Sequence, residues 1–142
     1  MIVIDTSVWI DYFNDKATSE TEVLDRLLGI ESLLIGDLIL AEVLQGLRSD
    51  PDFRRVLGFL GALEFREMVG RRVAIASAQN YRTLRAQGVT VRKTVDVIIG
   101  TFCMLNGHRL LHSDRDFDAM ESHLGLEVVK AFTENGGRSG GG

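Results

Sequence analysis

Four carboxylates stand where carboxylates are costly. Asp5 follows the continuously apolar, β-branched run Met1–Ile4, and Asp114 follows the strand-like run Arg109–His112. Glu42 and Asp96 sit inside the apolar stretches Leu40-Ala41-Glu42-Val43-Leu44 and Val95-Asp96-Val97-Ile98-Ile99. Charged groups at the edge of a core are expensive unless paired or bound to metal. The only cations within four residues of Asp96 are Arg92 and Lys93. Carboxylates without neighbouring His or Cys suit a hard cation, Mg²⁺ or Mn²⁺, rather than zinc. Each residue taken alone also has a plainer reading. Asp96 would suit the positive end of a helix, and Glu42 would suit the solvent face of an amphipathic one. Asp116 stands two residues past Asp114, a spacing that does not share a helix face. It either acts through a water or only favours the helix dipole.

These acids need elements to position them. Met1–Ile4 reads as a strand buried on both faces. Ser7 is placed to cap a helix carrying Val8, Trp9, Tyr12 and Phe13. Ser19 and Glu22 have capping-box spacing before a helix with Val23, Leu24, Leu27 and Leu28 inside. Ser32–Ile35 reads as a second strand. Asp37 then caps a helix to about Arg48, and Asp50-Pro51 restarts another. Leu63–Met68 reads as a third strand, and Arg71–Gln87 and Thr94–Leu105 as long helices. Asn106-Gly107 stops the second of these. Arg109–His112 is a fourth strand, Asp114–His123 a short helix and Leu126–Val129 the last strand. Strands alternating with helices imply one domain, a three-layer α/β/α sandwich around a central parallel sheet. It spans residues 1–132, and the Gly-rich segment 133–142 reads as a flexible tail. In such a sheet ligands bind at the carboxyl ends of the strands, where Asp5 and Asp114 stand.

The chain has 142 residues with 45% apolar and 25% charged types, enough for one sizeable core. Its net charge of −4 hides a segregation. Residues 48–93 carry ten Lys/Arg and four Asp/Glu, whereas the remainder carries six and sixteen. Thirteen of the sixteen cations are Arg, whose forks suit phosphate oxygens. This is either a solvated surface or a nucleic-acid face. One Cys excludes an internal disulfide, and a cytoplasmic protein is expected. Cys103 reads as core packing. No apolar run reaches the roughly 18 residues of a membrane span, and Asp5 argues against a signal peptide. Three scattered His residues make neither a zinc framework nor an acid/base pair. Asp11 and Asp118 read as helix-surface residues.

Four segments together resemble PIN-domain ribonucleases, specifically VapC-type toxins of toxin–antitoxin pairs. They are VIDTSVWID, LAEVLQG, TVDVIIGTFCMLNG and LLHSDRDFDAM, in that order along residues 1–130. The resemblance implies an α/β/α fold, a carboxylate pocket for Mg²⁺ or Mn²⁺, and RNA phosphodiester cleavage. Asp5, Glu42, Asp96 and Asp114 match the family's acidic quartet, and Asp116 a fifth acid of many members. Thr6 and Ser7 match the hydroxyl turn after the first acid. Ser113 matches a hydroxyl that orients a ligand or water. His112 departs from the usual apolar or Thr residue and is assigned no role. The resemblance also implies a VapB-like antitoxin held in an apolar groove, and a symmetric homodimer; the helices at Trp9–Phe13 and Val23–Leu28 either wall such a groove or are plain core.

A divalent ion held by carboxylates would acidify water and neutralise charge developing on phosphate. Arg92 and Lys93 would hold flanking phosphates of the RNA. The alternatives are a receiver-type signalling domain, a non-catalytic PIN-like scaffold and a DNA-directed nuclease of the same fold. The receiver needs a Lys ending its last strand, yet the only lysines are 16, 93 and 130. Four crowded acids should raise one another's pKa. On that expectation, Asp114→Asn would stabilise the metal-free protein.

Overall fold

An uninterrupted apolar run has no polar face to turn to water, so it is most stable with layers on both sides. Ile2–Ile4 forms such a strand, β1, and all three residues are buried. It leads through α1 (Thr6–Phe13) and α2 (Ser19–Leu27) to β2 (Leu33–Gly36), again wholly buried. Then come α3 (Asp37–Gln45), α4 (Asp50–Gly61) and β3 (Glu64–Arg66). Next are α5 (Gly70–Ala86), α6 (Thr94–Asn106), β4 (Arg109–Leu111) and α7 (Asp116–Leu124). This computed structural model describes residues 1–131. The expected tail, 133–142, lies outside the described residues.

The four strands are parallel, in the order β3-β2-β1-β4. The chain steps outward from β1 to β2 to β3, then crosses back to place β4 on the other side of β1. With right-handed crossovers, that reversal puts the intervening helices on opposite faces. Accordingly α1, α2, α3 and α4 pack among themselves, as do α5, α6 and α7. The expected α/β/α sandwich is the observed one. The reversal falls between β1 and β4, where connections leave in opposite directions and open a crevice at the strands' carboxyl ends.

Several boundaries shift from expectation. Asp5, not Ser7, caps α1, because the helix begins at Thr6 and the Asp5 carboxylate accepts from the Ser7 N–H. Thr18 and Thr21 form the capping box of α2 in place of Ser19 and Glu22. Ser49, not Asp50, caps α4, and Pro51 fits its first turn. Asp37 is the first residue of α3 rather than its cap; its Oδ1 accepts from the N–H groups of Leu38 (2.9 Å) and Met68 (3.0 Å). β3 is an exposed edge strand, shorter than Leu63–Met68. Its Glu64 and Arg66 form an ion pair, and charge on an edge discourages further pairing. The expected strand Leu126–Val129 is reduced to one bridge, Leu110 to Val128. Only Leu126 of that segment is buried, so little apolar burial supports a longer ladder.

Gly36 is required by a close approach. A Cβ there would lie 2.2 Å from Met68 Sδ and 2.5 Å from its Cγ. Met68 is itself buried, and its backbone is tied to Asp37, so it cannot retreat freely. We expect Gly36→Ala to cost about 1–3 kcal/mol of overpacking, a Tm loss of roughly 4–10 °C. Met68→Ala should cost less beside Gly36→Ala than it does alone, because the added methyl fills part of the cavity. Melting curves of the single and double variants check this, and an unchanged Tm for Gly36→Ala would contradict it.

Candidate active site

The crevice forms because β1 and β4 are neighbours although about a hundred residues separate them. The Asp5 N–H donates to the Leu111 carbonyl at 2.9 Å, which aligns the two strand ends. Asp5 then leaves β1 buried, its Oδ2 accepting from Ser7 Oγ (2.7 Å) and from the Ser7 N–H (3.2 Å). Ser113, just past β4, donates its hydroxyl to Ser7 Oγ at 3.1 Å. The two hydroxyl residues thus link the strand ends across the reversal. Thr6 donates to Glu42 Oε1 at 2.6 Å and so fixes the α3 acid beside the start of α1.

From the other face come Asp96, in the first turn of α6, and Asp114 and Asp116, before and at the start of α7. One carboxylate oxygen from each of these three lies within 4.8 Å of the others. Asp116 therefore joins the cluster directly. The i, i+2 objection fails because Asp114 precedes the helix; its Oδ1 accepts the Asp116 N–H at 3.0 Å. Asp5 and Glu42 lie outside this tight group but act on it through their charge. Glu42 raises the pKa of Asp5, and Asp5 raises that of Asp96. A cleft of about 690 Å³ opens over the cluster, lined by Ser7, Arg92, Ser113, Asp114, Arg115 and Asp116 among others.

The acids do not share one electrostatic fate. Burial pushes Asp5 up from the ordinary carboxylate range, against the opposing hydrogen bonds from Ser7. Burial also pushes Asp96 up to about 7; Lys93 opposes this, and Asp5, Asp114 and Asp116 add to it. Asp114 goes the other way. Its partial burial favours the neutral form, but the Asp116 N–H, Lys93 and Arg92 outweigh that and hold its carboxyl low. The expectation of uniformly raised acids is therefore wrong for Asp114, which stands half-buried beside a cation rather than crowded by anions alone. Buried Oδ2 atoms of Asp96 and of Asp116 accept no hydrogen bond. An all-oxygen donor set with two buried oxygens that accept no hydrogen bond fits a hard divalent cation.

Sequence reasoning missed the position of Lys93. Its ammonium lies 3.6 Å from Asp96 Oδ2 and 3.4 Å from Asp114 Oδ2, inside the acid cluster rather than beside it. A basic residue three before a buried acid, at a helix start, was the available signal. The basic stretch 48–93 is not one surface, because α4 and α5 belong to opposite layers; Arg92 is its member lining the cleft. His112 packs its ring on Phe117 with Nδ1 buried and unpartnered.

A family model described as PIN domain matches residues 2–122. The chain belongs to the PIN-domain family. VapC ribonuclease Mb1587 of Mycobacterium bovis is 33% identical over 134 residues, covering 91% of this chain and 98% of the relative. Ribonuclease VapC11 of Mycobacterium tuberculosis matches to the same extent. Among solved structures, VapBC2 from Rickettsia felis, bound to a promoter DNA fragment, superposes with a TM-score of 0.72 at 17% identity. It covers 91% of this chain and 98% of that one. VapBC-1 from nontypeable Haemophilus influenzae gives 0.69 at 18% identity, covering 91% and 97%. These structures share the PIN fold with this chain.

Raised and lowered carboxyls carry opposite stability signatures. Asp96, raised from 3.8 to about 7, stabilises the metal-free fold fully below pH 4 and loses that contribution as pH rises through 7. Asp114, held low, contributes above its unfolded pKa and loses this as pH falls. In EDTA at pH 7.5 we therefore expect Asp96→Asn to melt higher than wild type, by the order of 1 kcal/mol or about 4 °C. The gap should vanish at pH 4. Asp114→Asn should melt lower than wild type at pH 7.5. Calorimetry across pH 4–8 reads both, and equal shifts for the two variants would contradict these assignments.

Proposed function

We propose that this protein is a metal-dependent endoribonuclease and the toxin of a type II toxin–antitoxin pair. The observation that carries the reading is the Asp96 carboxylate, 3% exposed, whose Oδ2 accepts no hydrogen bond and meets only the Lys93 ammonium at 3.6 Å, clustered with Asp114 and Asp116 beneath an open cleft. A buried carboxylate oxygen without a hydrogen bond is costly unless something else completes it. Membership of the PIN family and the ribonuclease names of relatives at 33% identity support the same conclusion.

In this reading Asp96, Asp114 and Asp116 hold Mg²⁺ or Mn²⁺, with Asp5 and Glu42 completing the negative field. The bound cation supplies Lewis-acid charge at the scissile phosphate and acidifies water. Asp5 is kept in place by Ser7, and Ser7 in turn accepts from Ser113. Thr6 spends its hydroxyl on Glu42 Oε1 and so holds that acid beside the start of α1. The cluster's carboxylates supply an acceptor for the proton that water loses on attack. Arg92, on the cleft wall, and Lys93 meet the flanking phosphates of RNA.

The antitoxin is proposed to cover the face of α1 and α4. Buried Trp9 anchors an aromatic cluster with Tyr12, Phe13 and the exposed Phe59, and the same two helices also carry exposed Ile10, Phe53 and Leu57. An amphipathic helix suits such a surface. The α2 wall expected from sequence is less suitable, because Val23 and Leu24 are spent on the core. The solved neighbours from Rickettsia felis and Haemophilus influenzae are named as VapBC proteins. A homodimer and a cytoplasmic site of action complete the proposal. No helix among the described residues is long and apolar enough to cross a membrane.

The receiver alternative loses ground, since β4 ends in Leu111 and the cation in the pocket comes from the start of α6. Purified protein incubated with cellular RNA should cut it with Mg²⁺ or Mn²⁺ and not in EDTA. Asp5→Asn, Glu42→Gln and Asp96→Asn should each lose more than the roughly 10–100-fold typical of residues that only support a metal ligand. RNA binding without cleavage in Mn²⁺ would favour the scaffold, and cleavage of DNA alone would favour a DNA-directed nuclease. Arg92→Ala should weaken binding to unrelated RNAs alike and reduce the salt slope by about 1. Filter binding across a salt series reads this, and an unchanged slope would remove Arg92 from the phosphate path.

A further inference from the structure

Lys93 occupies a position that helix physics disfavours. It is the N-cap of α6 and makes no side-chain capping bond there. Ser, Thr, Asp or Asn would cap that end, whereas a cation meets the positive pole of the macrodipole. Its side chain is 53% exposed, and an exposed ion pair is worth only about 0–1 kcal/mol. Stability alone does not account for it.

Its contacts do. The ammonium bridges two acids from different elements, Asp96 of α6 and Asp114 beyond β4, at 3.6 and 3.4 Å. Yet Asp96 Oδ2 still accepts no hydrogen bond. Lys93 thus neutralises the cluster without satisfying it, and leaves that oxygen open to a cation that fits better. The residue type points the same way. Thirteen of the chain's sixteen cations are Arg, yet among the described residues the cation paired with Asp96 and Asp114 is a Lys. Arg would clamp a carboxylate through two parallel bonds, whereas Lys is a compact point charge on a flexible stem. The bridging group is the releasable one.

We propose that Lys93 is a resident counter-cation: it pairs with Asp96 and Asp114 before a divalent ion binds, competes with that ion for them, and is then released toward the substrate's phosphates. This rests on the metal site proposed above. Lys93 holds the carboxylates together in the metal-free protein, and its displacement makes a cation available beside the cleft only once the ion is in place. The metal-bound protein therefore has a freed positive charge that the metal-free protein lacks.

Two measurements test this without relying on cleavage. Calorimetric titration with Mn²⁺ should show binding roughly three- to tenfold tighter in Lys93→Met, as removal of one nearby positive charge requires. Lys93→Arg, which keeps the charge but clamps the carboxylate, should bind Mn²⁺ no tighter than wild type. Because the chain has only Lys16, Lys93 and Lys130, selective ¹³C labelling gives three side-chain Cε signals, with Lys93 assigned from Lys93→Arg. Saturating Mg²⁺ should move the Lys93 signal and leave the other two in place. Unchanged Mn²⁺ affinity in Lys93→Met, or an unmoved Lys93 signal at saturating Mg²⁺, would overturn the counter-cation while leaving a metal site that Asp96→Asn weakens. Absence of Mn²⁺ binding to wild type and to Lys93→Met alike would overturn the metal site, and the counter-cation with it.

Discussion

Everything at the cleft depends on one pairing, that of β1 with β4. The two strands run parallel in the register Ile2 with Arg109, Val3 with Leu110 and Ile4 with Leu111, and the Asp5 N–H extends the ladder by one bond. Their connections depart to opposite faces of the sheet. Loops on both sides therefore diverge at the strand ends, and backbone vacates the space above the seam. Side chains that follow β1 and β4 fill that space with acids, while helices on each face bring in Glu42 and Asp96. Parallel strands buried on both faces make the sheet rigid, so these acids are held close despite their repulsion.

That rigidity divides the acids electrostatically. Asp96 and Asp5 are deep, and burial opposes their charge. Asp114 sits higher, where a backbone N–H and two cations reach it. The result is a gradient from acids that resist ionisation to one that favours it, over a few ångströms. Only an added positive charge at the deep end makes all of them comfortable together near neutrality.

The acids and the alternation of strands and helices were legible in the sequence because their signals are local. An Asp after a β-branched run, or inside Val95–Ile99, is conspicuous without any tertiary knowledge. Cap positions slipped by one residue at Ser19, Asp37 and Asp50 and by two at Ser7, since the backbone dihedral that decides a cap depends on how the preceding strand or loop arrives. Leu126–Val129 has strand composition, but a ladder also needs burial, and that depends on the neighbouring layer. The split of residues 48–93 between two faces follows from the order of the strands, which composition does not encode. Lys93 was read as a phosphate contact because its sequence neighbours are known and the direction of its side chain is not. Asp114's lowered pKa was hidden for the same reason.

The register of β1 on β4 also has a kinetic meaning. Ile2 must find Arg109, so nearly the entire chain intervenes between two strands of three residues each. Contacts of such sequence separation form late, after shorter loops have closed. An N-terminal fragment that stops short of β4 can carry Asp5, Glu42 and Asp96, but it lacks the seam that gathers them and the Asp114 that follows it. On a ribosome adding about 5–20 residues per second, the growing polypeptide is chemically mute for most of its synthesis. A chain whose folded form would cut RNA thus has a topology that postpones its own danger until β4 and the Asp114 that follows it have been made.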